Sequence, residues 1–149
     1  MIKLPALLIQ NKYLKNMSIL GKRKGRPTTK IQFDAILKRF VLFLKRELRL
    51  TYDIPIVLVD DADFAKKIAA FGEFSKDNTI HLSVINRHPM DILRTLAHEY
   101  IHYKQRIENR LHRSGPGSAS ENQANAKAGE IIRKYGQLHP ELFDLMPIK

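Results

Sequence analysis

"LAHEYIHYKQ", Leu96 to Gln105, places two histidines four residues apart with a glutamate directly after the first. Residues four apart on a helix lie one turn apart on the same face, so His98 and His102 can grip one ion. The other side of the stretch is apolar. Leu93, Leu96, Tyr100, Tyr103, Ile107 and Leu111 recur at helical spacing, and packing that stripe into a core turns both histidines the same way. Gln105 and Asn109 project toward the histidine side, which reads as a polar, cleft-lining face. Glu99 sits about 100° round from His98, where its carboxylate reaches a water beside the ion rather than the ion itself. Chance alone supplies this pattern in roughly one chain in a hundred, so the reading depends on a third ligand. Catalytic zinc has three protein ligands and one open position.

Three candidates lie downstream: His112, Glu121 and Glu130. In "SENQANAKAGEII" (Ser120 to Ile132), Glu121, Ala124, Asn125 and Ala128 share one helical face, and the alanines allow close packing on the histidine helix. Asn125, one turn beyond Glu121, is placed to hydrogen-bond a ligand histidine. Glu130 is about 180° away and faces elsewhere. The competing role for Glu121 is a capping box with Ser118. His112 is the rival ligand, in the loop after the first helix, which has the freedom to fold back.

The surrounding elements fit one α+β domain. Phe33, Ile36, Leu37, Phe40, Leu44 and Leu48 predict an amphipathic helix from about Ile31 to Leu50. "IPIVLVD" (Ile54 to Asp60) suits a buried strand, and Asp60, Asp61 and Asp63 open a turn or short helix. "AFGEFSKDNTIHLSV" (Ala70 to Val84) reads as a hairpin around Ser-Lys-Asp-Asn. The histidine helix is expected from about Met90 to Leu111, a second helix from about Ser120 to Tyr135, and a short one over Pro140 to Leu145. His81, His88 and His139 have no ligand-spaced partner, and Tyr135 reads as core.

At 149 residues with 44% apolar and 28% charged side chains, the chain has the composition of a globular domain. It has no cysteine, so any metal must be held by His, Asp or Glu. No stretch reaches the roughly 18 apolar residues of a membrane span, and no cleavable leader is evident, so the expectation is a cytoplasmic protein without membrane contact. The net charge is +11, and the first 30 residues carry eight Lys or Arg and no acid. Residues 1–29 read as a basic, flexible extension and 30–149 as the domain. Within "KRKGRP" (Lys22 to Pro27), Lys22, Arg23, Lys24 and Arg26 are candidate nucleic-acid contacts, because clustered cations gain from counterion release. The Gly-Arg-Pro core resembles an AT-hook, with Lys24 where the usual first Arg stands.

"LAHEYIHYKQ" followed by "ENQAN" (Glu121 to Asn125) resembles the gluzincin branch of the zincin metallopeptidases. It is most similar to compact ImmA/IrrE-type peptidases and to small bacteriophage-encoded zincins. The resemblance spans about Phe71 to Tyr135, although Ile101 stands where the former carry a small residue. It implies a minimal zincin-like domain with a small three-stranded sheet, Zn2+ held by His98, His102 and Glu121, and Glu99 as general base. It also implies "TIHLSV" (Thr79 to Val84) as the edge strand along which a peptide lies. SprT-like zincins use a third histidine, for which His112 is the loop candidate. The expected activity is zinc-assisted hydrolysis of a peptide bond in a protein substrate, one associated with nucleic acid if the tail binds it. The alternative is a nucleic-acid-binding or partner-binding protein whose zincin fold is structural or inert.

Overall fold

Thr29 opens the first long helix, α1 (Lys30–Leu48), through a reciprocal cap. Its hydroxyl accepts from the Gln32 amide at 3.1 Å, and the Gln32 side chain accepts from the Thr29 amide at 2.9 Å. All six apolar positions that predicted this helix are buried, each stabilising the fold by about 1.5–3 kcal/mol through burial. The helix stops where Arg49 turns left-handed, at φ 55°. The computed structural model of the chain describes residues 2–4, 26–61, 63–68, 71–75, 77–108 and 118–149.

Strands β1 (Ile2–Leu4), β2 (Ile56–Val59), β3 (Gly72–Phe74) and β4 (Ile80–Ser83) form a mixed sheet in the order β1-β2-β4-β3. A short helix, α2 (Phe64–Ile68), follows β2. β2 and β4 run parallel, with Leu58 opposite Leu82. The expected hairpin is present, pairing β3 and β4 antiparallel with Phe74 opposite Ile80. Its turn is closed by the Asn78 amide bonding the Ser75 carbonyl at 3.1 Å, with Asn78 at φ 61°. The three strands expected from the sequence are joined by β1, which pairs antiparallel with β2.

One expectation is corrected. β4, the heart of "TIHLSV", is not the edge strand but lies between β2 and β3. Its Ile80 and Leu82 are fully buried, with Ser83 and Val84 buried after them, so its apolar content puts it in the sheet's interior. The strand at that edge is β3, short and carrying a glycine and an acid, features that suit an exposed edge.

The histidine helix, α3 (Pro89–Ile107), packs on this sheet and against α1. It begins at His88, whose Nδ1 accepts from the Met90 amide at 3.0 Å. Leu93, Leu96 and Tyr100 are fully buried as expected, whereas Ile107 at the end of the stripe is exposed; Asn109, Leu111 and His112 lie outside the described residues. A second long helix, α4 (Ala119–Leu138), lies along α3 and is followed by a 3-10 turn over Pro140–Asp144. Tyr135 is core, its ring 4.8 Å from those of Phe40 and Phe43. No described helix is long and apolar enough to cross a membrane.

Gly72 brings β3 against α3. A Cβ there would stand 2.6 Å from Thr95 Cγ2 and 3.3 Å from the His81 carbonyl oxygen, closer than packed atoms tolerate. The absence of a side chain therefore lets the edge strand approach α3 one turn before His98.

Candidate metal centre

Glu121 reaches the histidines because α4 starts where it does. Ser118 caps that helix, its hydroxyl accepting from the Glu121 amide at 3.1 Å. The cap expected from the sequence is thus made by Ser118 and the Glu121 backbone, while the Glu121 side chain turns to α3. Its Oε1 lies 3.1 Å from His98 Nε2 and its Oε2 lies 3.0 Å from His102 Nε2. The two Nε2 atoms are 2.9 Å apart. Glu130 faces away and pairs with Lys127.

Two nitrogens and a carboxylate converging at 2.9–3.1 Å suit a small cation. Donor atoms around a tetrahedral ion with bonds of about 2.0–2.2 Å stand roughly 3.3 Å apart. The spacing here departs from that by only a few tenths of an ångström, and the donor set is the nitrogen and oxygen mixture zinc accepts. The residues fit such an ion.

The proton on His102 is assigned by its neighbours. Gln105 Nε2 lies 3.0 Å from the Ser120 carbonyl oxygen and 2.6 Å from Gln123 Oε1, so this end of the amide donates. Its Oε1 then faces His102 Nδ1 at 2.9 Å and accepts from it. A neutral imidazole that donates through Nδ1 presents a lone pair at Nε2, the form a metal binds. The Asn125 side chain lies beside His98, where it favours the protonated ring. Burial and the neighbouring His102 hold His98 below the usual histidine range, against the opposing pull of Glu121 and Asn125.

Glu99 is 7% exposed. Burial, with smaller repulsions from Glu121 and Glu73, pushes its carboxyl up to about 7. It lines a cavity of about 240 Å³ with His98, Glu121, Asn125, Arg94, Phe71 and the Gly72 edge. A carboxyl that titrates near neutrality beside an open cavity can both take and return a proton.

The structure brings His98, Glu99, His102, Glu121 and Asn125 to one place. Lys22, Arg23 and Lys24 lie outside the described residues, and Arg26 is exposed, far along the chain at the foot of α1 beside Met146. Gln105 does not line a cleft: it is buried and holds His102. Its three-residue step from His102 was the signal for that contact. Arg94, one turn before His98, also borders the cavity, and the same step of four marks it. The unmatched histidines lie elsewhere: His88 caps α3, His139 packs at a tilt against Tyr135 with ring centres 4.6 Å apart, and His81 Nδ1 lies 3.8 Å from Glu73 Oε1. The chain matches no protein-family model, and no curated protein or solved structure matches it.

Proposed function

We propose that this chain is a zinc-dependent metallopeptidase with a minimal zincin-like fold, hydrolysing a peptide bond in a protein substrate. The observation that carries the reading is the buried carboxyl of Glu99 beside the convergent His98, His102 and Glu121, all but His102 facing one cavity. A site that only braced the fold would need the three ligands and no cavity-lining acid next to them.

In this reading His98, His102 and Glu121 hold the ion, with Gln105 and Asn125 fixing the two rings. When bound, zinc supplies a Lewis acid that polarises the scissile carbonyl and makes water more acidic. Glu99 takes the proton of the attacking water through its carboxylate and passes it to the departing amine. The nitrogen then leaves as a neutral amine and Glu99 returns to its starting state, so the residue is not consumed. Burial serves this cycle, because a carboxyl held near neutrality has similar affinity for the proton in both directions. Among the described residues no strand pairs with the outer side of β3, which would give an extended peptide a row of backbone partners beside the cavity, and Gly72 keeps that row close to α3.

The test is Glu99→Gln, which preserves size and all three ligands. Zinc content should match the parent while cleavage of a mixed peptide library, followed by mass spectrometry, drops at least ~100-fold. Equal cleavage by both chains would remove Glu99 as the base.

A further inference from the structure

Arg94 stands one turn before His98 on α3, and its guanidinium crosses to α4. Its Nη2 lies 3.5 Å from where a Cβ on Gly129 would be. The two helices face each other in three rungs: His102 opposite Glu121, His98 opposite Asn125, and Arg94 opposite Gly129. Each rung is four residues from the next on both helices, so all six positions occupy the two facing sides. Polar contacts close the first two rungs. The third is open, because Gly129 has no side chain with which to answer a cation. Glu130, the nearest acid in sequence, is paired with Lys127. Among the described residues no acid or carbonyl pairs with Arg94, which borders the same cavity as His98 and Glu99.

Arg87 shows what an arginine with a structural task looks like here. Its nitrogens bond the Ser83 carbonyl at 2.8 Å, the Asp91 carbonyl at 3.2 Å and Thr95 Oγ1 at 2.7 Å, and its Cζ lies 4.3 Å from the Phe71 ring centre. Among the described residues Arg94 has no comparable set of partners, and it borders the cavity.

We infer that Arg94 is a specificity-determining residue that binds a carboxylate of the peptide in this cavity. The planar fork of a guanidinium matches a carboxylate in two parallel hydrogen bonds, which gives both charge and orientation. Side chains one helical turn apart have Cβ atoms about 5–6 Å from each other, and an extended peptide advances about 3.3 Å per residue. The carboxylate therefore belongs to a residue one or two positions from the bond being cut. It is either an Asp or Glu side chain or the C-terminal carboxylate of the substrate. The inference rests on the peptidase reading for the word substrate, but the binding it describes is measurable without cleavage.

The experiment uses the full-length, zinc-loaded Glu99→Gln chain to capture peptides from a randomised, N-acetylated hexapeptide library at physiological salt. The library is made in two forms, with free and with amidated C-termini, and bound peptides are sequenced by mass spectrometry. Enrichment of Asp and Glu in both forms assigns a side-chain carboxylate; enrichment of the free-acid form alone assigns the C-terminus. Either preference should fall about 5-fold with Arg94→Gln added and turn toward Lys and Arg with Arg94→Glu. Arg46→Gln, which removes one exposed cation from α1, should leave it unchanged and controls for net charge. Capture with no acidic preference, no capture, or a preference that Arg94→Glu leaves intact would overturn the proposal. If acidic peptides are captured and the parent chain cuts none of them, the carboxylate site stands and the peptidase reading falls. If the parent cuts peptides without regard to acid, the reverse holds.

Discussion

His102 Nδ1 lies 2.9 Å from Gln105 Oε1, and the relationship is one-directional because Gln105 spends its amide hydrogens on Ser120 and Gln123. Replacing Gln105 with alanine frees the ring to rotate and to adopt the other tautomer. Zinc affinity, measured by competition with a chromophoric chelator, should fall by about 10–100-fold. The metal-free chain should also lose on the order of 1–3 kcal/mol, since the buried Ser120 carbonyl loses its donor. Unchanged affinity would mean that Glu121 and His98 alone orient the ring.

The ligand set has its own test. One zinc per chain is expected, with large losses of bound metal in His98→Ala and in Glu121→Ala. Full occupancy in Glu121→Ala together with loss in His112→Ala would transfer the third ligand to His112.

Glu99 makes stability depend on pH in the metal-free protein. Its carboxyl titrates at about 7 when folded, against about 4.3 in an unfolded chain. The folded state binds this proton more tightly, so the contribution is full below the unfolded value and is lost as pH rises to the folded one. Between pH 5 and pH 8 the thermal midpoint of the parent should therefore fall relative to that of Glu99→Gln. The variant should be the more stable at pH 8 by on the order of 1–3 kcal/mol. Taking the difference cancels the opposite trend from His98, whose value is depressed. Calorimetry giving parallel profiles for the two chains would contradict the burial argument.

Gly72 and Thr95 should behave as a coupled pair. Gly72→Ala puts a methyl 2.6 Å from Thr95 Cγ2 and should destabilise the chain by about 1–3 kcal/mol. Adding Thr95→Ser removes that methyl, keeps the hydroxyl that bonds Arg87, and should restore much of the loss. A double-mutant cycle with no coupling would show that the strand shifts freely instead.

Nucleic-acid binding by the basic extension is tested without removing β1. Changing Lys22, Arg23, Lys24 and Arg26 to glutamine in the full chain should weaken duplex DNA binding. The slope of log affinity against log salt should fall by on the order of 3. Identical slopes would exclude these four residues.

The three long helices of this fold were legible because each carries a buried stripe at helical spacing. The run from Phe33 to Leu48 fixes a buried face and Ser118 before Glu121 marks the start of α4, whereas the Thr29–Gln32 cap emerged only with the structure. The facing of Glu121 and Asn125 toward the histidines was legible for the same reason, since a period of 3.6 carries direction as well as length. Strand order was not. The side chains of β4 show that it is buried, but which neighbour covers each edge depends on partners distant in sequence, including Ile2–Leu4. Gln105 was misjudged because polarity alone suggested solvent, whereas its amide is satisfied by α4, a contact that exists only after the two helices meet.

The rungs between α3 and α4 determine which kinds of length change the protein can tolerate. Adding one residue within either helix rotates everything beyond it by about 100° and moves it about 1.5 Å, so an insertion between rungs would split the site. Adding a residue to the connection between positions 108 and 118 alters none of the three pairings. Related chains should therefore differ in length at that connection while keeping steps of four from 94 to 102 and from 121 to 129. An internal tag or reporter inserted there should leave zinc binding intact, where the same insertion next to Ala97 or Ala124 would abolish it.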